Sequence, residues 1–182
     1  MFQEEDIKKS YKKVLEVNPD IIVTCAYGQM LNEELINFPK YQTVNVHASL
    51  LPKFRGGAPI ERAIMAGDDK TGITIMYTDK KMDSGDIICQ EEVLIDKTDN
   101  YETLKNKLIL VAKRLIVSAL NDIFLGKSER IKQDDSKKSY APIITKEDEH
   151  ISFNDTAFNI YNKSYTAHEI KITVDYNTII RP

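Results

Sequence analysis

Apolar and polar positions fall into blocks along the chain, and most blocks carry a clear period. From Glu4 to Val17, Ile7, Tyr11, Val14 and Leu15 recur at helical spacing with Lys8, Lys9, Lys12 and Lys13 on the wet side, which predicts an amphipathic helix. Asn18-Pro19-Asp20 breaks it. Ile21 to Ala26 then reads as a continuous apolar run, the pattern of a strand buried on both faces. Tyr27-Gly28 ends that strand, Gln29 to Asn37 predicts a short helix before Pro39, and Thr43 to Val46 predicts the next strand. Pro59 to Met65 reads as a helix with proline in its first turn, where a missing N–H costs nothing. Thr71 to Thr78 and Ile87 to Ile95 are β-rich runs around a turn at Lys80 to Asp86. Tyr101 to Leu125 predicts a long helix with Leu104, Leu108, Val111, Leu115 and Leu120 on or near one face and Gly126 as its cap.

Helix, strand, helix, strand at the opening argues an α/β sheet with crossover helices. The first helix has no preceding strand to complete a β-α-β unit, so the expectation is a domain over residues 1–126 that lacks the first strands of a larger sheet. From Lys127 the composition changes, and KSERIKQDDSKKSYAP, with few apolar residues, reads as a surface linker over residues 127–150. Residues 151–182 read as the remnant or beginning of a second domain, with a helix within Ile151 to Tyr165 and a β-rich run at Ile170 to Val174. No glycine follows Gly126, and a complete barrel needs several tight turns, so this tail is at most the start of one.

Composition narrows the class. With 182 residues and 42% hydrophobic content the chain can bury a real core. Its net charge of −3 does not suggest a dedicated nucleic-acid binder, although Lys53 and Arg55 form a local basic patch. The longest apolar runs fall far short of the roughly 20 residues needed to cross a bilayer, and the N-terminus has no apolar core of a secretory signal. Cys25 and Cys89, the two cysteines, have no metal-site spacing. Both fall in strand-like runs and read as buried free thiols, so a reducing, cytoplasmic compartment is expected.

The chemistry gathers at Thr43 to Pro59, TVNVHASLLPKFRGGAP. Asn45 and His47 lie two positions apart, so on a strand their side chains share a face and can converge on one ligand. A lone strand histidine is most often a satisfied core or rim residue. Here the adjacent Asn and the following loop weigh against that, because strand ends in open α/β sheets are where ligands bind. His150 and His168, in the linker and tail, keep the ordinary reading. Asp83, in MDSGD, is an ordinary turn residue taken alone, and Asp79 and Asp86 more firmly so. Gly56-Gly57 lacks the spacing of a phosphate loop, and no GxSxG or HExxH occurs. Asn, His and Asp together suggest acyl transfer: an amide and an imidazole donate to a developing oxyanion while a carboxylate orients the imidazole or positions water. With no nucleophilic side chain evident, transfer would run directly to an amine.

The motifs N-V-H-A-S-L-L-P, R-G-G-A-P-I, T-G-I-T-I-M and M-D-S-G-D-I, in that order, resemble the folate-dependent formyltransferases. Within them the chain is most similar to the branch whose acceptor is initiator methionyl-tRNA, a match sharpened by AYG at Ala26 to Gly28 and by APIERAIMAGDDKTG. The likeness is good from Asp20 to Leu125 and extends through the linker. It implies a Rossmann-like, mostly parallel sheet with flanking helices, and the start of an OB-like C-terminal domain. It also implies 10-formyltetrahydrofolate as formyl donor with no metal, initiator methionyl-tRNA as partner, and no membrane association. By the resemblance, Asn45, His47 and Asp83 are the catalytic three, and Ser49, Leu50, Leu51 and Pro52 form the tetrahydrofolate-binding segment. Tyr27, Gly28 and Met82 would wall the pterin pocket.

The family's basic N-terminal loop and its C-terminal barrel, both tRNA-contacting, have no counterpart here, which leads to the expectation of a truncated or frameshifted copy. The family is expected to be monomeric, but a truncated sheet exposes an edge that could drive self-association. The alternatives are another acceptor with the same chemistry (glycinamide ribonucleotide or an amino-sugar nucleotide) or an inactive folate-binding fragment. The GGAPIERAIMAGD stretch favours tRNA.

Overall fold

The computed structural model describes residues 6–152 and 154–166. The β-rich run at residues 170–174, His168 and the end of the tail lie outside them. Elements alternate as the patterns predict. Helix α1 (Ile7–Glu16) leads to strand β1 (Ile22–Cys25), helix α2 (Glu33–Asn37), strand β2 (Thr43–His47), helix α3 (Pro59–Ala66), strands β3 (Lys70–Tyr77) and β4 (Ile87–Leu94), helix α4 (Tyr101–Phe124) and helix α5 (Ala157–Ser164). The helices are set by local chemistry. Asp6 caps α1, Asn32 caps α2, and Asn100 and Thr103 cap α4 reciprocally, each satisfying backbone donors that a first turn leaves free. The Asn32 cap also explains why α2 is shorter than predicted. The helix starts only after it, while Gln29 is used elsewhere, its Oε1 accepting from Ile7 N at 2.9 Å.

The four strands form one sheet in the order β1-β2-β3-β4. β1 and β2 pair in parallel, and β2–β3 and β3–β4 are antiparallel. The sheet is therefore mixed, with helices flanking it in a Rossmann-like arrangement whose parallel part, among the described residues, is β1–β2. An OB-like domain is not seen among the described residues. Strand β3 is central, and every residue from Thr71 to Tyr77 is buried. On one face Val44, Ile73, Ile75, Tyr77, Ile88 and Val93 pack against Leu104, Leu108, Ala119 and Ile123 of α4. A buried Leu or Ile of this kind contributes about 1.5–3 kcal/mol. No helix among the described residues is long and apolar enough to cross a membrane.

One expectation fails at β1, where a strand buried on both faces was predicted. Its burial alternates, Val23 is 42% exposed and Cys25 is exposed. The physical reason is position: β1 is an edge strand of the described sheet, paired there on one side only, with β2. Cys89, expected to be buried, is half-buried, and burial with the nearby Asp122 carboxylate pushes its thiol up to about 11.

Residues 127–150 lie largely at the surface, as their composition predicts, but the segment is tied down at several points. Ile131 exchanges two backbone hydrogen bonds with Ile87, Arg55 N donates to Ser139 O, and Ala141 N donates to Arg55 O at 2.7 Å. Further on, Asp148 accepts both guanidinium nitrogens of Arg62 at 2.8 and 2.7 Å. Arg62, with the Thr145 N–H, holds the Asp148 carboxyl well below the usual carboxylate range. A carboxyl lowered in the folded state stabilises the fold above its ordinary value near 4, and that contribution is lost as pH falls below it. Arg62→Ala is therefore expected to cost about 2 kcal/mol at pH 7. The gap from wild type should narrow in urea unfolding repeated near pH 3.

Candidate active site

The face of the sheet opposite α4 carries the candidate residues of β2. Strand period places Asn45 and His47 on that face while Val44 packs into the core. Antiparallel register sets Asn45 opposite Met76 and His47 opposite Thr74. On the parallel side Thr24 pairs with Asn45, and Thr24 Oγ1 donates to Asn45 Oδ1 at 2.8 Å. With its oxygen so engaged, the amide turns its N–H groups outward, and Nδ2 lies 3.5 Å from Asp83 Oδ1. His47 is 5% exposed, and its Nε2 lies 2.9 Å from the Phe54 carbonyl. A carbonyl only accepts, so the proton sits on Nε2. This leaves Nδ1 facing Asp83 Oδ2 at 3.6 Å. The three side chains predicted from the sequence thus converge, although Asp83 comes from a loop between β3 and β4.

That loop is held in an uncommon shape. Asp83 has φ +48°, a left-handed conformation costing a non-glycine residue about 1 kcal/mol. Its Oδ2 accepts from Gly56 N at 2.8 Å, which ties the β3–β4 loop to the β2–α3 loop. Gly56 itself has φ +131°, and a Cβ there would sit 2.5 Å from Ala141 O. The glycine pair read as a weak phosphate loop instead gives close passage to the 139–141 strap.

The Ser49–Pro52 segment follows β2 directly. Ser49 is fully buried and its Oγ donates to Lys53 O at 2.6 Å. Thr74 Oγ1 donates to Ser49 O at 2.6 Å, and Gln90 Nε2 donates to Leu51 O at 2.9 Å. The Leu51–Pro52 bond is cis. Leu51 packs with Met76 and Ile87, while Leu50 and Pro52 are half-buried at the rim. Tyr27, half-buried, and Gly28, exposed, follow the end of β1, whose last residue Cys25 pairs with Val46. Met82 is 53% exposed beside Asp83. A shallow cavity of about 330 Å³, lined by Leu50, Lys53, Phe54, Asp68, Asp69, Lys70 and Thr71, contains none of the three converging groups. Thr24 and Gln133 bear on the site and escaped the sequence reading. Thr24 is an ordinary strand residue by pattern, and Gln133 lies in a polar segment.

An amide, an imidazole and a carboxylate thus meet beside the end of β2, and the chain belongs to the formyl transferase family, whose model matches residues 3–120. It is 48% identical over 155 residues to the methionyl-tRNA formyltransferase of a Geobacillus strain, covering 85% of this chain and 49% of that protein. The Staphylococcus aureus methionyl-tRNA formyltransferase is 43% identical over 165 residues, covering 90% and 53%. The chain thus spans about half the length of the curated relatives it matches. Among solved structures, an N-formyltransferase from Helicobacter canadensis in complex with folinic acid and dTDP-3-aminofucose shares the fold. Its TM-score is 0.67 at 24% identity, over 76% of this chain and 51% of that one.

Proposed function

We propose that this chain carries the formyl-transfer centre of a methionyl-tRNA formyltransferase, with 10-formyltetrahydrofolate as donor and the methionine amine of initiator methionyl-tRNA as acceptor. The observation that carries the reading is the convergence of Asn45 Nδ2 and His47 Nδ1 on the Asp83 carboxylate, at 3.5 and 3.6 Å. Contacts this long leave the groups open to a substrate, as in many sites before the reacting atoms arrive. The identities of 43–48% to methionyl-tRNA formyltransferases support the acceptor.

In this reading the free amine attacks the formyl carbon and a C–N bond forms. The carbonyl oxygen becomes an oxyanion that takes a hydrogen bond from Asn45 Nδ2, and a second from His47 Nδ1 once the ring has taken up a further proton there beside the Asp83 carboxylate. Asp83 orients the imidazole and, through water, accepts the proton that the amine gives up. Collapse of the tetrahedral intermediate breaks the bond to the folate nitrogen, which takes back through water the proton that Asp83 accepted from the amine, and tetrahydrofolate leaves. Ser49, Leu50, Leu51 and Pro52 hold the folate, with Tyr27, Gly28 and Met82 at the pterin end; clamping of this loop by Thr74 and Gln90 supports a preformed binding edge. The compartment in this reading is the cytoplasm, where initiator tRNA is charged.

A second acceptor has one observation behind it: the solved neighbour that binds dTDP-3-aminofucose. The two are separated by offering the purified chain labelled 10-formyltetrahydrofolate with initiator methionyl-tRNA, glycinamide ribonucleotide or an amino-sugar nucleotide in parallel reactions. Label should appear on the tRNA-borne methionine. Label on a small amine alone would reassign the acceptor, and label on none would leave a folate-binding fragment.

A further inference from the structure

We infer that Gln133, in the surface strap after α4, is the positioning residue that sets Asp83 for the reaction, an inference that rests on the catalytic reading of Asn45, His47 and Asp83. Gln133 Nε2 donates to two backbone carbonyls of the β3–β4 loop, Asp83 O and Gly85 O, both at 2.9 Å. Its Oε1 accepts from Arg55 Nε at 3.0 Å and from the terminal nitrogen NH2 at 2.7 Å. A carboxamide has two N–H donors and two acceptor lone pairs, and all four are used here. The orientation of the amide is fixed, because Arg55 can only donate and the carbonyls can only accept.

Each neighbour reinforces this link. Arg55 is 5% exposed and also pairs with Asp135 at 2.8 Å, so it is a fixed anchor. Two backbone bonds between Ile131 and Ile87 seat the strap two residues before Gln133. The loop that Gln133 holds needs support, since Asp83 sits in the left-handed region. Single residues in sparsely populated conformations persist only where the surroundings over-determine them. One side chain therefore couples the β2–α3 loop, through Arg55, to the carboxylate that faces His47.

Gln133→Glu is the sharpest test. The carboxylate keeps the partner Arg55 needs, but it cannot donate to the two carbonyls and repels them. Displacing a catalytic group by about 1 Å can cost on the order of 100-fold, so kcat for formyl transfer is expected to fall roughly 10- to 100-fold with KM for the folate donor little changed. Asp83→Asn should cost at least as much, and adding Gln133→Glu to it should cost little more, because both act on one group. Gln133→Asn, which keeps the amide but shortens its reach, should fall between wild type and Gln133→Glu. As a readout independent of turnover, ¹⁵N spectra of the His47 ring in the folded chain should change in Gln133→Glu as they do in Asp83→Asn. Unchanged ring signals, or a full additional loss in the double variant, would overturn the positioning role. Wild-type rates in Asp83→Asn would instead overturn the catalytic reading itself.

Discussion

Asn45→Ala is expected to slow formyl transfer by roughly 100- to 1,000-fold, the usual cost of removing one oxyanion donor from a preorganised site. The amide is prealigned: Thr24 holds its oxygen at 2.8 Å, and its nitrogen points at the space beside Asp83. Truncation removes the donor without disturbing the strand, since Asn45 is only half-buried and its backbone pairs with Thr24 and Met76 regardless of side chain. His47→Ala should cost at least as much, because it removes the Nδ1 group at the oxyanion and strips the Phe54 carbonyl of its donor. Both are read by single-turnover transfer at saturating folate, with folding checked by circular dichroism. Rates within a few-fold of wild type in both would exclude the oxyanion role.

Gly85→Ala is the second large effect. A Cβ at this buried position would lie 1.8 Å from the Tyr77 carbonyl oxygen and 2.9 Å from its carbon. The obstruction is backbone of the central strand β3, not the end of a flexible side chain, so the β3–β4 loop must move. Tyr77 N also donates to Asp86 O across this turn at 2.9 Å, and Gly85 O is one of the two carbonyls that Gln133 holds. Forcing a methyl into such a contact is expected to destabilise the chain by about 3 kcal/mol or more. It should also displace Asp83, so that even the folded fraction loses most of its transfer rate. Urea unfolding monitored beside the transfer assay separates the two losses. A wild-type midpoint together with a wild-type rate would show that the loop is not built as described.

Which parts of this site could be read from the chain follows from how each part is encoded. Asn45 and His47 are adjacent by strand period, so their shared face is local information. Asp83 lies 38 residues from Asn45, and only the likeness of MDSGD to a family motif brought it in; the turn itself says nothing of a partner. Thr24 meets Asn45 through register between parallel strands, which no local pattern states. The 127–150 segment is polar and mostly exposed, as its composition says, yet much of what binds it to the 51–58 loop is backbone hydrogen bonding that any sequence can make. Gln133 was invisible because the partners of its side-chain amide, Arg55 and the Asp83 and Gly85 carbonyls, lie 78, 50 and 48 residues away, where no local pattern reaches. At β1 the apolar run was legible, but its cover depends on which elements lie beside it, and at the edge of the described sheet Val23 and Cys25 are open.

In the proposed function one centre moves a formyl group from folate to the methionine amine on tRNA. The most direct measurement is the stoichiometry of that exchange: tetrahydrofolate released against formylmethionyl-tRNA formed by the purified chain. One tetrahydrofolate for each formylated methionine, with both lost together in His47→Ala, is the predicted result. Tetrahydrofolate released without formylated tRNA, or folate bound with neither product formed, would contradict it.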